Sequence, residues 1–330
     1  MDDFCEDPLT GRRVLYAEHR AGRPNEFAAA AGAAGADASP RADCVFCPGN
    51  EAATPETRLQ VPKGGAPWRV RVVPNKYPAV DAQSGGVHEV IIESRRHVQR
   101  TGQLTTDELA EVLLVYADRL RAVADAGRPY RLIFKNVGPS AGASLSHLHS
   151  QVIGLPEAPP LAALEASNYA ALRGEAGRCP WLGRLMAERA DGRRVVHDGD
   201  GYFAFCPAAS RQPYELTVLP APARAEEALP IALEASIKSP AAANRLARVL
   251  MPLLRAVEGE IGQAGYNVLL HTAPILPSGV VWPWRIEIVP RVTSLAGLEL
   301  ATGLFLNVVS PERAAETLRA RIAAAGHASA

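Results

Sequence analysis

Two histidines and a glutamine alternate along His147-Leu148-His149-Ser150-Gln151. Alternate residues of an extended strand share a face, at steps of about 7 Å. The spacing therefore predicts His147, His149 and Gln151 in one row. Such a row offers two imidazoles able to bind a metal or attack an electrophile, and an amide able to donate to an oxyanion. A second metal site is the competing chemistry for alternating histidines, and Gln151 counts against it because an amide is a poor zinc ligand. Phe134-Lys135-Asn136-Val137-Gly138 and the small-residue turn Ser140-Ala141-Gly142-Ala143-Ser144 come just before the row.

Cys44-Val45-Phe46-Cys47 places two thiols at the spacing of half a zinc site. The pair alone fits two ordinary half-buried cysteines equally well. His97, after a strand, and His147 would complete a Cys2His2 set that pins the N-terminal segment to the active strand. Four protein ligands leave no open coordination position, so one structural Zn2+ per chain is expected. Cys5, Cys179 and Cys206 have no partner at metal spacing, and five cysteines in so long a chain do not suit a disulfide framework.

These residues must be carried by regular elements, and the chain writes the same order of elements twice. Strands are expected at Trp68–Val73, Val87–Ile92, Tyr130–Lys135 and His147–Ile153. Between the second and third lies a helix opened by the capping box Thr105-Thr106-Asp107-Glu108, with Leu109, Val112, Leu113, Tyr116, Leu120 and Val123 on one face. The second copy reads Tyr202–Cys206, Tyr214–Leu219, a helix from Ser239-Pro240, then Tyr266–His271 and Trp284–Val289. Pro252 inside that helix predicts a kink or break. Arg285-Ile286-Glu287 is read as taking the place of His147-Leu148-His149, so only the first copy keeps the chemistry. The expected class is α+β, a mainly antiparallel sheet with helices packed on it. The units are drawn at 1–165 and 190–330. Phe27 to Asp37 reads as a loose Ala/Gly segment, Leu155 to Pro160 as a linker, and Ser310-Pro311 as the start of a last helix to about Ala323.

Bulk properties narrow the setting. Acidic and basic residues balance at 35 each among 330, so no global field draws the chain to nucleic acid or an anionic membrane. A hydrophobic fraction of 48% and a charged fraction of 21% suit a soluble globular protein. No apolar run approaches the roughly 20 residues of a membrane span. The start, Met1-Asp2-Asp3-Phe4, lacks signal-peptide character, and a reducing cytoplasm is expected.

Taken together, the chain resembles the galactose-1-phosphate uridylyltransferase family, in the histidine triad superfamily. The resemblance runs through Asp7-Pro8-Leu9-Thr10-Gly11-Arg12, Glu18 to Pro24, the cysteine pair, Val73 to Pro78 and Gly86-Val87-His88-Glu89-Val90. It is strongest over Phe134 to Gln151, and extends to Tyr266–Pro274 and Ile286–Arg291. It implies two tandem histidine-triad-like units and a double displacement. His149 would attack the α-phosphorus of a sugar nucleotide, sugar 1-phosphate would leave, and a second phosphate would collect the nucleotide. Gln151 would bond a phosphoryl oxygen. Arg20 and Arg23 would bind phosphate, Asn75, Asn136 and Ser144 would contact the nucleotide, and Gly142 would let the backbone approach the phosphates. Glu299 matches an acidic residue that contacts sugar hydroxyls. A homodimer is implied, with UDP-glucose and galactose 1-phosphate as default substrates. An ADP-glucose-type phosphorylase using inorganic phosphate would need the same His149 and Gln151. A zinc-stabilised nucleotide-binding protein without turnover is the reading outside catalysis.

Some positions depart from the family pattern. Arg285 stands where relatives often carry a histidine of a second metal site, and Cys179-Pro180-Trp181-Leu182 has one thiol where others have a pair. Ala301-Thr302-Gly303 and Leu306 differ near the hexose end, which leaves the sugar open.

Overall fold

The computed structural model describes residues 4–22, 38–64, 67–177, 179–222, 229–230, 232–273 and 282–328. Arg23 and the Ala/Gly stretch 27–37 lie outside the described residues.

A hairpin of β1 (Phe4–Asp7) and β2 (Arg12–Tyr16) opens the fold. Strands β3 (Leu59–Val61), β4 (Val70–Pro74) and β5 (Val87–Ile92) lead into α1 (Thr106–Asp125), then β6 (Tyr130–Val137) and β7 (His149–Leu155). Helices α2 (Pro160–Ala176) and α3 (Pro180–Asp191) follow. The second copy comprises β8 (Val195–Gly199), β9 (Tyr202–Phe205), β10 (Leu216–Pro220), the short α4 (Leu233–Ser236), α5 (Pro240–Ile261), β11 (Tyr266–His271) and β12 (Arg285–Pro290). The chain closes with α6 (Gly297–Thr302), β13 (Phe305–Asn307) and α7 (Pro311–Ala328).

Ten strands make one sheet in the order β3-β4-β5-β7-β6-β11-β12-β10-β9-β8. Read inward from either edge, the order of the two halves is the same, and they meet at the antiparallel pair β6–β11. The expected α+β class and the duplicated order both match. A smaller sheet joins β1, β2 and β13.

The helices form for local reasons. Thr105 accepts from the Glu108 backbone N–H while Glu108 accepts from that of Thr105, which satisfies two donors at the start of α1. Ser239 accepts from Ala242 N–H at the start of α5. The two helices lie side by side on one sheet face. Val112, Leu113, Leu120, Leu246, Leu250 and Leu253 pack there with Ile91, Ile133, Val152, Ile286 and Ile288 in one buried core. Of the expected kink or break at Pro252, there is no break: α5 continues through it. Pro252 is exposed, as is Arg248, whose carbonyl loses its helical donor, so the missing bond falls on the solvent side where it costs least.

Two different covers lie on the opposite face. Phe46 and Val45 pack over Trp68, Val73, Val90 and Ile92 of the first half. Tyr169 of α2 and Trp181 and Leu185 of α3 seal Phe203, Phe205 and Leu219 of the second. Sequence reasoning missed α2 and α3, both opened by a proline at the first turn, and missed the β1–β2–β13 sheet.

The register corrects one assignment. Gln151 faces Val90 on β5 and Phe134 on β6, while Glu287 faces Thr217 on β10 and Leu269 on β11. Glu287 therefore stands at Gln151's place and Arg285 at His149's, two residues along from the sequence alignment given above. Strand β7 also begins at His149, not His147, and the His147 side chain belongs to a thiol–imidazole cluster.

Candidate active site and metal centre

Cys44, Cys47, His97 and His147 converge, with all four ligand atoms within 4.8 Å of one another. His97 Nδ1 lies 3.3 Å from Cys47 Sγ, and His147 Nδ1 lies 3.5 Å from Cys47 Sγ and 3.6 Å from Cys44 Sγ. Tetrahedral zinc at ordinary bond lengths would set such neighbours about 3.3–3.8 Å apart. The donor set and its spacing fit a metal ion. Each ring is turned by an outer partner: the Ser94 carbonyl accepts from His147 Nε2 at 2.8 Å, and Ser146 Oγ is 3.2 Å from His97 Nε2. Protonation of His147 at Nε2 leaves the Nδ1 lone pair for the metal. Burial pushes its pKa down to about 4, which keeps the ring neutral.

His149 follows directly. Its Nδ1 is 2.8 Å from the His147 carbonyl, which can only accept. The proton therefore sits on Nδ1, and Nε2 keeps its lone pair. The ring is 7% exposed, and Phe46 from the cysteine segment meets it edge-on at 5.2 Å. Burial holds its pKa below the ordinary histidine value, favouring the neutral ring. The same thiol–imidazole cluster thus carries both His147, whose carbonyl sets the His149 tautomer, and the cysteine segment whose Phe46 ring packs against it.

Gln151 lies on the same face of β7. Its Oε1 receives Asn75 Nδ2 at 3.2 Å and faces His88 Nε2 at 2.8 Å. Asn136 is on the neighbouring strand, where its Oδ1 accepts from Asn267 Nδ2 at 2.8 Å. Asn267 Nδ2 also donates to the Ala141 carbonyl at 2.9 Å, tying the 138–142 turn to β11. Gly142 has φ +86°, a conformation that favours glycine, and its carbonyl accepts from Asn136 Nδ2 at 3.5 Å.

The structure thus brings His149, Gln151 and Asn75 together, with Asn136 and Gly142 on the adjoining strand and turn. Ser144 lines a cavity of about 500 Å³ with Arg41, Cys44, His97 and Arg100, on the cluster side. Arg20 is exposed on the turn Glu18–Gly22 and makes no described contact with the His149–Gln151 group. Glu299 lies in α6 and accepts from Ala296 N–H at 2.9 Å, a local cap. Sequence reasoning missed His88 and Asn267. The only signal for the former was the short run Gly86-Val87-His88.

The counterpart face of the second half is a buried ion-pair network. Arg285 grips Glu165 of α2 through both terminal nitrogens at 2.9 Å and reaches Glu287 at 3.0 Å. Arg211 bonds Glu215 and Glu287, each at 2.6 Å, and Arg12 approaches Glu215 at 3.3 Å. Burial opposes the charge on Glu287, but Arg211, His271, Arg12 and Arg285 outweigh it and hold that carboxyl well below the usual range.

No family model matches the chain. It is 27% identical to the ADP-glucose phosphorylase of Arabidopsis thaliana over 96% of its length and 92% of that protein's. A crystal structure of an ADP-glucose phosphorylase from Arabidopsis thaliana with bound ADP-glucose superposes with a TM-score of 0.79, covering 96% and 98% of the two chains at 27% identity. Galactose-1-phosphate uridylyltransferase of Thermotoga maritima is 25% identical, over 74% of this chain and 77% of its own. The sheet and these likenesses agree along the chain, which is similar over nearly its whole length to the galactose-1-phosphate uridylyltransferase family of the histidine triad superfamily, enzymes of nucleotidyl transfer or phosphorolysis.

Proposed function

We propose that the protein is a sugar-nucleotide phosphorylase, with ADP-glucose as the first donor to test. The near-complete span of the likeness to ADP-glucose phosphorylase carries this choice of substrate. His149 Nε2 attacks the α-phosphorus, and the bond from that phosphorus to the bridging oxygen breaks. Glucose 1-phosphate departs and adenylyl-His149 remains. An oxygen of inorganic phosphate then attacks the same phosphorus, the P–N bond breaks, ADP leaves, and the Nε2 lone pair returns. The proton stays on Nδ1, donated to the His147 carbonyl, throughout, so the ring needs no change of tautomer. The Gln151 NH2 group donates to a non-bridging oxygen as charge develops on it. Asn75, Asn136, Ser144 and Gly142 are assigned to the nucleotide, Arg20 and Arg23 to phosphate, and Glu299 to the sugar.

The metal of the Cys44–Cys47–His97–His147 cluster is assigned as one structural Zn2+ per chain; when bound, it cross-links the segment that carries Phe46 to the head of the active strand. The proposed chemistry belongs to residues 1–165, and residues 190–330 supply scaffold and substrate contacts. A homodimer is part of the proposal, as the family implies, and sedimentation would test it.

The likeness to the Thermotoga uridylyltransferase favours a second reading, transfer of uridylyl from UDP-glucose to galactose 1-phosphate. One experiment distinguishes the two. The protein is incubated with ADP-glucose or UDP-glucose without acceptor, and the intact mass is read. An added AMP that His149→Ala abolishes, and that phosphate releases as ADP, supports phosphorolysis. An added UMP released only by galactose 1-phosphate supports transfer. No adduct with either donor would overturn both.

A further inference from the structure

A carboxamide helps a phosphoryl group only if its NH2 end, and not its oxygen, faces the charge. Nothing in glutamine itself makes that choice, because the two ends have nearly the same shape. In this chain the choice traces back to two backbone groups. Ala79 N–H donates to His88 Nδ1 at 3.0 Å, and Tyr77 N–H donates to Asn75 Oδ1 at 2.8 Å. A backbone N–H can only donate. His88 must therefore carry its proton on Nε2, and Asn75 must turn its NH2 the other way. Both point at one atom, Gln151 Oε1, at 2.8 and 3.2 Å. Their own approach of 3.1 Å is that of two donors converging on a shared acceptor. With Oε1 engaged twice, the Gln151 NH2 group is left to the space beside His149.

We propose that His88 is a positioning residue: held as its Nε2–H tautomer by Ala79, it locks the Gln151 carboxamide with the amide protons toward the phosphoryl oxygen. The role rests on the nucleotidyl-His149 reading above. The segment Asn75-Lys76-Tyr77-Pro78-Ala79 supplies the instruction, and β5 delivers it across to β7. His88 sits two residues from Val90, the residue that faces Gln151 in the ladder, so its ring reaches Gln151 diagonally. Burial lowers the ring's proton affinity, in keeping with a neutral tautomer.

Two nearly isosteric replacements separate this role from packing. Gln at position 88 can still donate to Gln151 Oε1, whereas Glu presents an acceptor there and turns the carboxamide around. His88→Gln is expected to form the nucleotidyl adduct within about threefold of wild type. His88→Glu should be slower by about 100-fold, the order of losing one oxyanion donor, with donor KM changed far less than kcat. Their melting temperatures should agree. Equal rates for the two variants would overturn the lock. Ring nitrogen shifts of 15N-histidine protein provide a readout independent of turnover. Among the eight histidines, the signal missing from His88→Gln should show a protonated Nε2 and a bare Nδ1; the opposite tautomer would refute the proposal. If wild type forms no adduct with any donor, the nucleotidyl-His149 reading fails, while the tautomer still decides whether the lock exists.

Discussion

At matched places in the ladder, the first half of the sheet carries His88, Asn136, His149 and Gln151, and the second carries Glu215, His271, Arg285 and Glu287. The strands, the connecting helix and the inward-facing residues are the same in kind. What differs is the kind of bond: ion pairs between charged groups in one half, hydrogen bonds between neutral groups in the other. In the second half, Arg285 and Glu287 are bonded to each other and to Glu165 and Arg211, and α2 and α3 lie over them. In the first half the groups are neutral, and three side chains of the site are oriented by one-way backbone partners: the His147 carbonyl for His149, Ala79 N–H for His88, Tyr77 N–H for Asn75. One constellation is ion-paired and the other is aimed. The proposed chemistry depends on leaving selected donors and lone pairs unspent, which buried ion pairs do not allow.

This contrast can be attacked at several points. The largest effect is expected at His149. His149→Ala should abolish the adduct and lower turnover by at least about 10⁴-fold, the range of a lost nucleophile; a variant that retains covalent nucleotide would move the chemistry elsewhere. Next comes the metal. Stripping the cluster with a chelator, or Cys47→Ser, should loosen the segment that carries Phe46 and sharply reduce adduct formation. Native mass should show one zinc per chain, and two would mean that the ion-paired half also binds metal.

Arg285→Met leaves Glu165 and Glu287 buried with less compensation, and should cost about 3–5 kcal/mol in denaturant unfolding. The protein that remains folded should form adduct at the wild-type rate, since the network touches none of His149's partners; a parallel loss of chemistry would collapse the distinction between the halves. The carboxyl of Glu287 is held below its unfolded value, so its contribution is complete above about pH 5 and is lost as pH falls through the folded value. The stability gap between wild type and Arg285→Met should therefore narrow in acid. The smallest effect compares the caps of the paired helices. Thr105→Ala, which breaks a reciprocal pair, should cost about 1 kcal/mol, and Ser239→Ala, which removes a single acceptor, somewhat less.

What could be read from sequence was local. The capping box at Thr105, the helical stripe of α1 and the row from His147 to Gln151 are each encoded within a few residues. The cysteine pair needed only His97 and His147 to suggest a cluster, and the geometry gathers those four. The ion-pair network could not be read this way, because Arg12, Glu165, the Arg211–Glu215 stretch and the Arg285–Glu287 stretch come from four separated places that only the fold brings together. Helix α2 was hidden because Leu161 and Leu164 stay exposed and blur its apolar stripe. His88 sits inside a recognised run, yet its role depends on Ala79 and Gln151, which only the folded ladder brings near. Arg285 was placed two residues out of step because the pairing that matches Gln151 with Glu287 is a property of the ladder and not of the local sequence.

The seam between β6 and β11 has a further consequence. Each strand there has its partner on the other side only because the second copy exists, and Asn267 reaches across to hold Asn136 and the Ala141 carbonyl. After duplication, drift could strip the second copy of its reactive side chains, but not of its backbone ladder. Cutting the chain in two would bare a pair of long central strands as sticky edges. Evolution could silence the second half of this protein without ever being able to discard it.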